Sequence, residues 1–433
     1  MKNIFRNRLP KTAGWLIPGL EIKRWFALIF LGAGLIIAGI LTLSDPVQVY
    51  TFLKDLKSSV NADVVATISV ILGAVLFFKG WQRTNLSMLD IHDEKEKENV
   101  LETLYRRKKL NKGPKVVAIG GGTGLSMLLR GLKKITNNIT AVVTVGDDGG
   151  SSGRLREEMG VLPPGDIRNC IAALADDEDL ITKLFQYRFD MGEGLKGHSF
   201  GNLFLTALCS ITGNMVRAVR ESSNVLSIRG RVLPATLDDM KLVAEMEDGR
   251  VVHGESSIPE AGGKIKRLFT EPSDCKALPE VLEAIMNADL IVMGPGSLYT
   301  SVIPNLLVKE IAHAVAKAKA KKIYVCNIMT QPGETDNYSV SSHVNAILTH
   351  AGTKDVLDAV LVNNSIPKNI SRAYAEHKSF PVVLDNENLN PTGIKLVSAK
   401  LLEEEKSKNG LVRHSSSRVA RSVYIWYKKS IKR

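Results

Sequence analysis

The chain has 433 residues, more than one compact core usually needs, so two to three structural units are expected. Apolar residues make up 44% and charged residues 24%, which excludes a mostly disordered, collagenous or mucin-like chain. The net charge of +12 sits at the ends: residues 1–114 and 411–433 carry +7 each, leaving −2 for the body between them, a membrane-surface pattern more than a nucleic-acid groove.

Cys170, Cys209, Cys275 and Cys326 stand far apart with no C-x-x-C pair, and no H-E-x-x-H occurs. A disulfide scaffold, a cysteine-based zinc site and a zinc protease are therefore unexpected, and a reducing compartment fits best.

Trp25 to Leu43 contains no charged residue and is long enough, as a helix, to span a bilayer. A second uncharged run, Val64 to Phe78, follows after a short polar loop and is bordered by Lys79, Trp81 and Arg83. Together they predict a membrane hairpin over 25–83. Lys2, Arg6, Arg8, Lys11, Lys23 and Arg24 precede it, against Lys54 and Lys57 in the loop. The positive-inside rule then puts the N-terminus and the long C-terminal body in the cytoplasm, as a multi-pass protein of the cell membrane. Residues 84–113 are mixed-charge and predict a solvated linker, closed by Gly113-Pro114.

The body opens with Lys115–Ile119, a short β-branched run that predicts a buried strand. Gly120-Gly121-Gly122-Thr123-Gly124 follows at once, then a helical pattern from Leu125. Strand, glycine loop and helix aim backbone N–H groups at an anion, so Gly121, Gly122, Thr123 and Gly124 are candidate phosphate contacts. The strict G-x-G-x-x-G fails, because position 125 is leucine, and no Walker lysine follows. A tight turn is the plain alternative.

Thr140–Val145 predicts the next strand and ends in Gly146-Asp147-Asp148-Gly149-Gly150-Ser151-Ser152-Gly153. Asp147 and Asp148 either approach a ribose or hold Mg²⁺ beside phosphates, with Gly149 and Ser151 in the same loop. The letters G-x-S-x-G occur here, but inside a longer polar loop and not at one sharp elbow, so a serine hydrolase is not favoured. Asp166 is expected to cap the helix that starts there, with Arg168 facing the loop or a ligand. Ser199 is a natural cap for the apolar helix after it, and His198 and Asn202 are candidate ligand neighbours.

Residues 225–270 predict a small β-rich insertion with strands at Val232–Leu237, Met240–Met246 and Val251–His253, turning at Glu247-Asp248-Gly249-Arg250. Strand–loop–helix returns at Asp289–Met293, whose loop holds Gly296 and Ser297, with a helix opening at Pro304 and running to about Lys319. Further strands are expected at Ile323–Cys326 and Val356–Val362. Four strand ends thus carry polar loops, and in a doubly wound sheet such loops share one carboxyl edge, where ligands bind.

The motifs VVAIGGGTGLS, TVGDDGGSSGRLR, PPGDIRNC, GHSFGNL, MGPGSLYTS and TQPGETDNY resemble the bacterial gluconeogenesis factor family (YvcK-like), related to the 2-phospho-lactate transferases (CofD-like). The resemblance covers about residues 114–390. It implies an α/β fold with a Rossmann-like, doubly wound, mostly parallel sheet over 114–400, preceded here by two transmembrane helices and followed by a basic tail over 401–433. It further implies a UDP-N-acetylglucosamine-like ligand and a regulator of cell shape, envelope synthesis and gluconeogenic growth. Gly121, Gly122 and Thr123 would touch phosphate, and Asp147 and Asp148 would lie near a metal or phosphate. Asn202 and Ser297 would line the cleft, and Tyr338 and Arg372 would grip the nucleotide sugar. The transferase branch implies the alternative, a Mg²⁺-dependent transfer of a phosphorylated small acid. Partners would be cell-envelope synthesis proteins, with no nucleic acid and a homodimer as the default.

Overall fold

The computed structural model describes residues 108–432 apart from 177, 366–373, 375, 377 and 404–411, together with 50, 51 and 54. The chain forms two compact units, Met1–Lys109 and Leu110–Arg433. The predicted membrane hairpin and Arg372 lie outside the described residues. Among the described residues, no helix is long and apolar enough to cross a membrane.

The second unit is built on a seven-stranded parallel sheet. Its strands are β1 (Val116–Gly120), β2 (Ile139–Val143), β3 (Arg231–Pro234), β7 (Leu290–Met293), β8 (Lys321–Val325), β9 (Ala359–Asn363) and β10 (Lys395–Ala399). The order across the sheet is β10-β9-β8-β7-β1-β2-β3. The doubly wound expectation is therefore met, and the strand order reverses between β1 and β7.

Both faces of the sheet are covered, which is why its central strands are apolar without alternation. Val117 and Ile119 of β1 enter one core, and Val116 and Ala118 enter the other. The same split sends Tyr324 of β8 to the first core and Ile323 and Val325 to the second. This is the two-residue period of a strand expressed as two separate cores.

Helix α1 (Gly122–Leu132) follows β1 and buries Leu125, Leu128, Leu129 and Leu132, a stripe at helical spacing. It packs on α3 (Gly165–Leu174), which follows α2 (Gly150–Met159). Helix α4 (Phe200–Thr212) starts at Ser199, whose side chain accepts from Asn202 N as the sequence predicts.

Three expectations change in the tertiary structure. The first of the three strands assigned to the insertion, β3, instead pairs in parallel with β2 as the edge of the main sheet. The insertion proper is antiparallel: β4 (Lys241–Met246) lies between β5 (Val251–His253) and β6 (Ile265–Glu271). Sequence pattern alone cannot assign a short apolar strand to a sheet. The single helix expected from Pro304 is broken at Val308, after Ile303–Leu307, and resumes as α5 (Lys309–Lys317).

The third change concerns the basic tail. Residues Ser416–Ser430 form a helix, α7, counting Val340–Ala351 as α6. It buries Val419, Ala420, Val423 and Tyr427 and packs along α1, leaving Arg421, Lys428 and Lys429 exposed. The charge run is the solvent face of an amphipathic helix that closes the second core. All four cysteines are free thiols.

The contact between α1 and α7 is made at backbone distance. A Cβ on Gly131 would lie 2.1 Å from the Ser416 carbonyl oxygen. Gly131→Ala is therefore expected to force the two helices apart and to cost roughly 1–3 kcal/mol, the usual range for overpacking. A urea midpoint indistinguishable from that of the unaltered protein would show that α7 is not held this way.

Candidate functional site

Because the seven strands are parallel, the loops after β1, β2, β7 and β8 lie at one edge. The loop after β1 is a single residue, Gly121, and Gly122 already begins α1. A Cβ on Gly121 would sit 2.5 Å from Asp166 Oδ2 and 2.7 Å from Thr144 Cγ2. A Cβ on Gly124 would sit 2.2 Å from the Pro295 carbonyl oxygen. These glycines let three strand-end segments touch through backbone. Asn305, wholly buried, reinforces the junction by donating to Gly120 O at 3.2 Å and Ser301 O at 2.9 Å.

Helix N-termini expose unpaired amides, and here two of them are met by the protein's own carboxylates. Asp166 is not the cap of its own helix. Pro164 holds that place in α3, and Asp166, in the first turn, accepts from the Gly122 N–H at the start of α1. Burial, then the nearby Asp147, pushes its carboxyl up to about 6, against the Gly122 bond and Arg168, which hold it down. Glu334 does the same after β7. It accepts from Tyr299 N at 3.2 Å and from Thr300 Oγ1 at 3.2 Å, and burial pushes it up to about 7. The anion cradle predicted at Gly296 and Ser297 is thus filled by Glu334. Ser297 Oγ accepts from Gln331 Nε2 at 2.7 Å, and Gly296 N donates to Asn327 Oδ1 at 3.4 Å, tying the ends of β7 and β8.

The unused amides lie elsewhere. No protein acceptor reaches the N–H groups of Thr123 and Gly124 in α1, or of Gly150, Ser151 and Ser152 in α2, among the described residues. The N-termini of α1, α2 and α3 meet. Asp166 abuts Gly121, and a Cβ on Gly165, the residue before it, would lie 2.4 Å from Ser152 Oγ and 3.0 Å from Asp147 Oδ2. The stretch expected as a Gly/Ser loop, Gly150 to Gly153, is the first turn of α2, because Gly149 takes the cap position.

Ser151 stands in a buried polar cluster. Asn202 Nδ2 donates to Ser151 Oγ at 3.0 Å, and Ser151 Oγ and His198 Nδ1 are hydrogen-bonded at 3.0 Å. Burial, followed by Arg154, holds the His198 pKa below the usual histidine value. Asn202 is 2% exposed, and its Oδ1 has no protein partner. Arg168 reaches Ser199 Oγ at 2.5 Å and Asn169 Oδ1 at 2.9 Å, which binds α3 to the start of α4.

The adjacent carboxylates Asp147 and Asp148 diverge. Asp147 Oδ1 closes its own turn on Gly149 N at 3.0 Å, whereas Asp148 Oδ1 accepts from Ser256 N of the insertion at 2.9 Å. Their partners lie on different segments, and among the described residues no group of three or more His, Cys, Asp or Glu is placed to hold a metal. Between the insertion and the sheet edge sits Glu255. Its Oε2 is buried without a partner, and burial, then Asp147, Asp166, Asp148 and Glu334, hold its carboxyl well above the normal range.

Tyr338 belongs to an aromatic cluster. Its hydroxyl lies 2.7 Å from that of Tyr299, and its ring stands edge-on to Tyr299 and His343 at 6.2 and 5.5 Å. Of the site residues expected from sequence, Gly121, Gly122, Thr123, Gly124, Asp147, Gly149, Ser151, Asp166 and Asn202 gather around the three helix starts. Arg168 and Asp148 flank them, and Gly296, Ser297 and Tyr338 lie on the β7–β8 side. Glu255, Glu334 and His198 complete the constellation. His198 is expected from sequence beside Asn202; Glu334 stands inside a quoted motif, but nothing local marks it, since its partners come from a distant segment.

The buried acids make stability pH-dependent. Glu334, 6% exposed, keeps its proton to about pH 7 when folded and releases it near the ordinary glutamate value of 4.5 when unfolded. Its contribution is complete below the lower value and is lost as pH rises through the higher one, a fall of up to about 3 kcal/mol at 1.36 per unit. Asp166 and Glu255 act in the same direction. Urea midpoints taken at about pH 5 and pH 8 are expected to diverge less for Glu334→Gln than for the unaltered protein. Equal divergence in both proteins would remove Glu334 as the source.

The chain is similar to known proteins along most of its length. The sequence profile of the family described as 2-phospho-L-lactate transferase CofD matches residues 116–402. A putative gluconeogenesis factor of Nostoc sp. is 50% identical over 429 residues, covering 97% of this chain and 94% of that protein. The gluconeogenesis factor of Bacillus subtilis is 53% identical over 308 residues, 71% of this chain and 96% of that one. A crystal structure of a Bacillus halodurans protein, 51% identical, superposes with a TM-score of 0.69 over 72% of this chain and 100% of that chain.

Proposed function

This chain belongs to the CofD family and has gluconeogenesis factors among its relatives, and from that membership we propose that it is a nucleotide-sugar-binding regulator of envelope synthesis, cell shape and gluconeogenic growth. The observation that carries the reading is the meeting of α1, α2 and α3. Five first-turn amides there have no protein acceptor, and a helix start with free N–H groups favours phosphate oxygens.

Two further atoms suit the rest of such a ligand. Asn202 Oδ1 and Glu255 Oε2 are buried without protein partners. Asn202 Oδ1 needs a donor, which a sugar or ribose hydroxyl supplies. Burial and the neighbouring acids push the Glu255 carboxyl well above its ordinary range, which favours the uncharged form beside phosphates. The apolar runs at 25–43 and 64–78, read as a membrane anchor, are part of the same proposal, as is a body on the cytoplasmic side.

The ligand is taken to be UDP-N-acetylglucosamine or a close analogue. Calorimetric titration of the full chain with this compound should show binding, and Asn202→Ala should weaken it by about 1–3 kcal/mol, the cost of a lost buried hydrogen bond. No heat at millimolar ligand would reject the reading.

Group transfer is the second reading, motivated by the transferase for which the matching family is described. Asp147 and Asp148 are the candidate Mg²⁺ ligands of this reading, each with one oxygen engaged on a different segment. The residues proposed to serve it are the hydrogen-bonded pair Ser151 and His198, the imidazole being able to act as a general base in its Nε2–H tautomer. Incubation of the protein with UDP-N-acetylglucosamine and phosphorylated small acids tests it. Product formation abolished in His198→Ala would favour transfer, and unchanged substrate after long incubation would count against it.

A further inference from the structure

The opposite edge of the sheet carries a second, chemically different cleft. Its volume is about 770 Å³, within the range of small-molecule sites. It is walled by the starts of β8 and β10, the turn before β9 and the end of α7. Five lysines line it: Lys321, Lys322, Lys354, Lys395 and Lys429. Two aspartates, Asp355 and Asp358, share the wall, leaving a net charge of +3.

The aspartates do not neutralise the lysines. Asp358 Oδ2 is occupied by the Lys322 backbone N–H at 2.8 Å, and no ion pair among the described residues includes any of the five ammonium groups. Lysines at helix ends commonly complement the helix dipole, and that account suffices for Lys429 in the last turn of α7. It does not cover Lys322, a strand residue that is only 7% exposed, lines the cleft and has no carboxylate partner. The Lys322 stem is buried, but its ammonium is not among the buried partnerless atoms, so it adds an unpaired positive charge to the cleft wall. The remaining wall is apolar, with the Trp426 indole, Leu396 and Val397.

We propose that this lysine-lined cleft is an anion site, separate from the strand-end constellation, that takes a phosphoryl or pyrophosphoryl group attached to an apolar or aromatic body. The lysines supply point charges for the phosphate oxygens, and Trp426 supplies the flat surface for the body. Two sources offer this chemistry, a soluble phosphate ester and an anionic lipid headgroup.

The test uses the full chain and the emission of Trp426, isolated from the other three tryptophans by subtracting the Trp426→Phe variant. Inorganic pyrophosphate is one probe, and vesicles of phosphatidylglycerol against phosphatidylcholine are the other. The exposed pair Lys395→Gln/Lys429→Gln should weaken the response about tenfold while circular dichroism shows an unaltered fold. A Trp426-dependent response to pyrophosphate supports a soluble ester, and one to phosphatidylglycerol alone supports a headgroup. Failure of both probes, or a response undiminished in the double lysine variant, overturns the proposal.

Discussion

A carboxylate placed on another segment's helix N-terminus is the interaction on which this fold turns. Asp166 lies in the first turn of one helix and accepts from the opening amide of another. Glu334 repeats the device for the turn after β7. Each carboxylate satisfies backbone donors that would otherwise be orphaned at a buried junction, and each is locked to a chain segment remote in sequence. Gly121 is glycine because a Cβ would occupy the space of the Asp166 oxygen. The strand-end region is thus assembled by charge on dipole and by backbone contact, with little side-chain packing between the loops.

That construction sets the electrostatics of the candidate site. Asp147, Asp148, Asp166, Glu255 and Glu334 lie close enough for Glu255 to feel all four of the others. Mutual repulsion and burial keep some of their protons on at neutral pH. The site is therefore less anionic than its composition suggests. Amides without protein acceptors at Thr123, Gly124 and the start of α2 remain as its donors. The polar trio Ser151, His198 and Asn202 is held at the same place by Ser199 and Arg168.

The two edges of the sheet carry opposite chemistry. Acids and helix starts crowd the carboxyl edge, whereas lysines and helix ends crowd the other. In a parallel sheet every connecting helix begins at one edge and ends at the other, so the dipoles add in the same sense. Lysines at helix ends answer that sum, except at Lys322, a strand residue on the wall of the lysine-lined cleft.

The local chemistry of the chain by itself determined the parallel α/β body. Short β-branched runs such as those at Lys115–Ile119 and Ile323–Cys326 can only be buried strands, and the glycine and serine punctuation after them marks the starts of helices. Ser199 was legible as a cap because capping is a three-residue affair. What only the tertiary structure decided is where charges go. Asp166 reads locally as the cap of its own helix yet serves α1, and Asp147 and Asp148, neighbours in sequence, turn to different partners. The basic C-terminal run reads as a tail yet covers a core, since its four buried residues find their complement only once α1 is in place. Glu255 and Glu334 gain their roles from atoms far away along the chain, and long-range electrostatics leaves no local pattern to read.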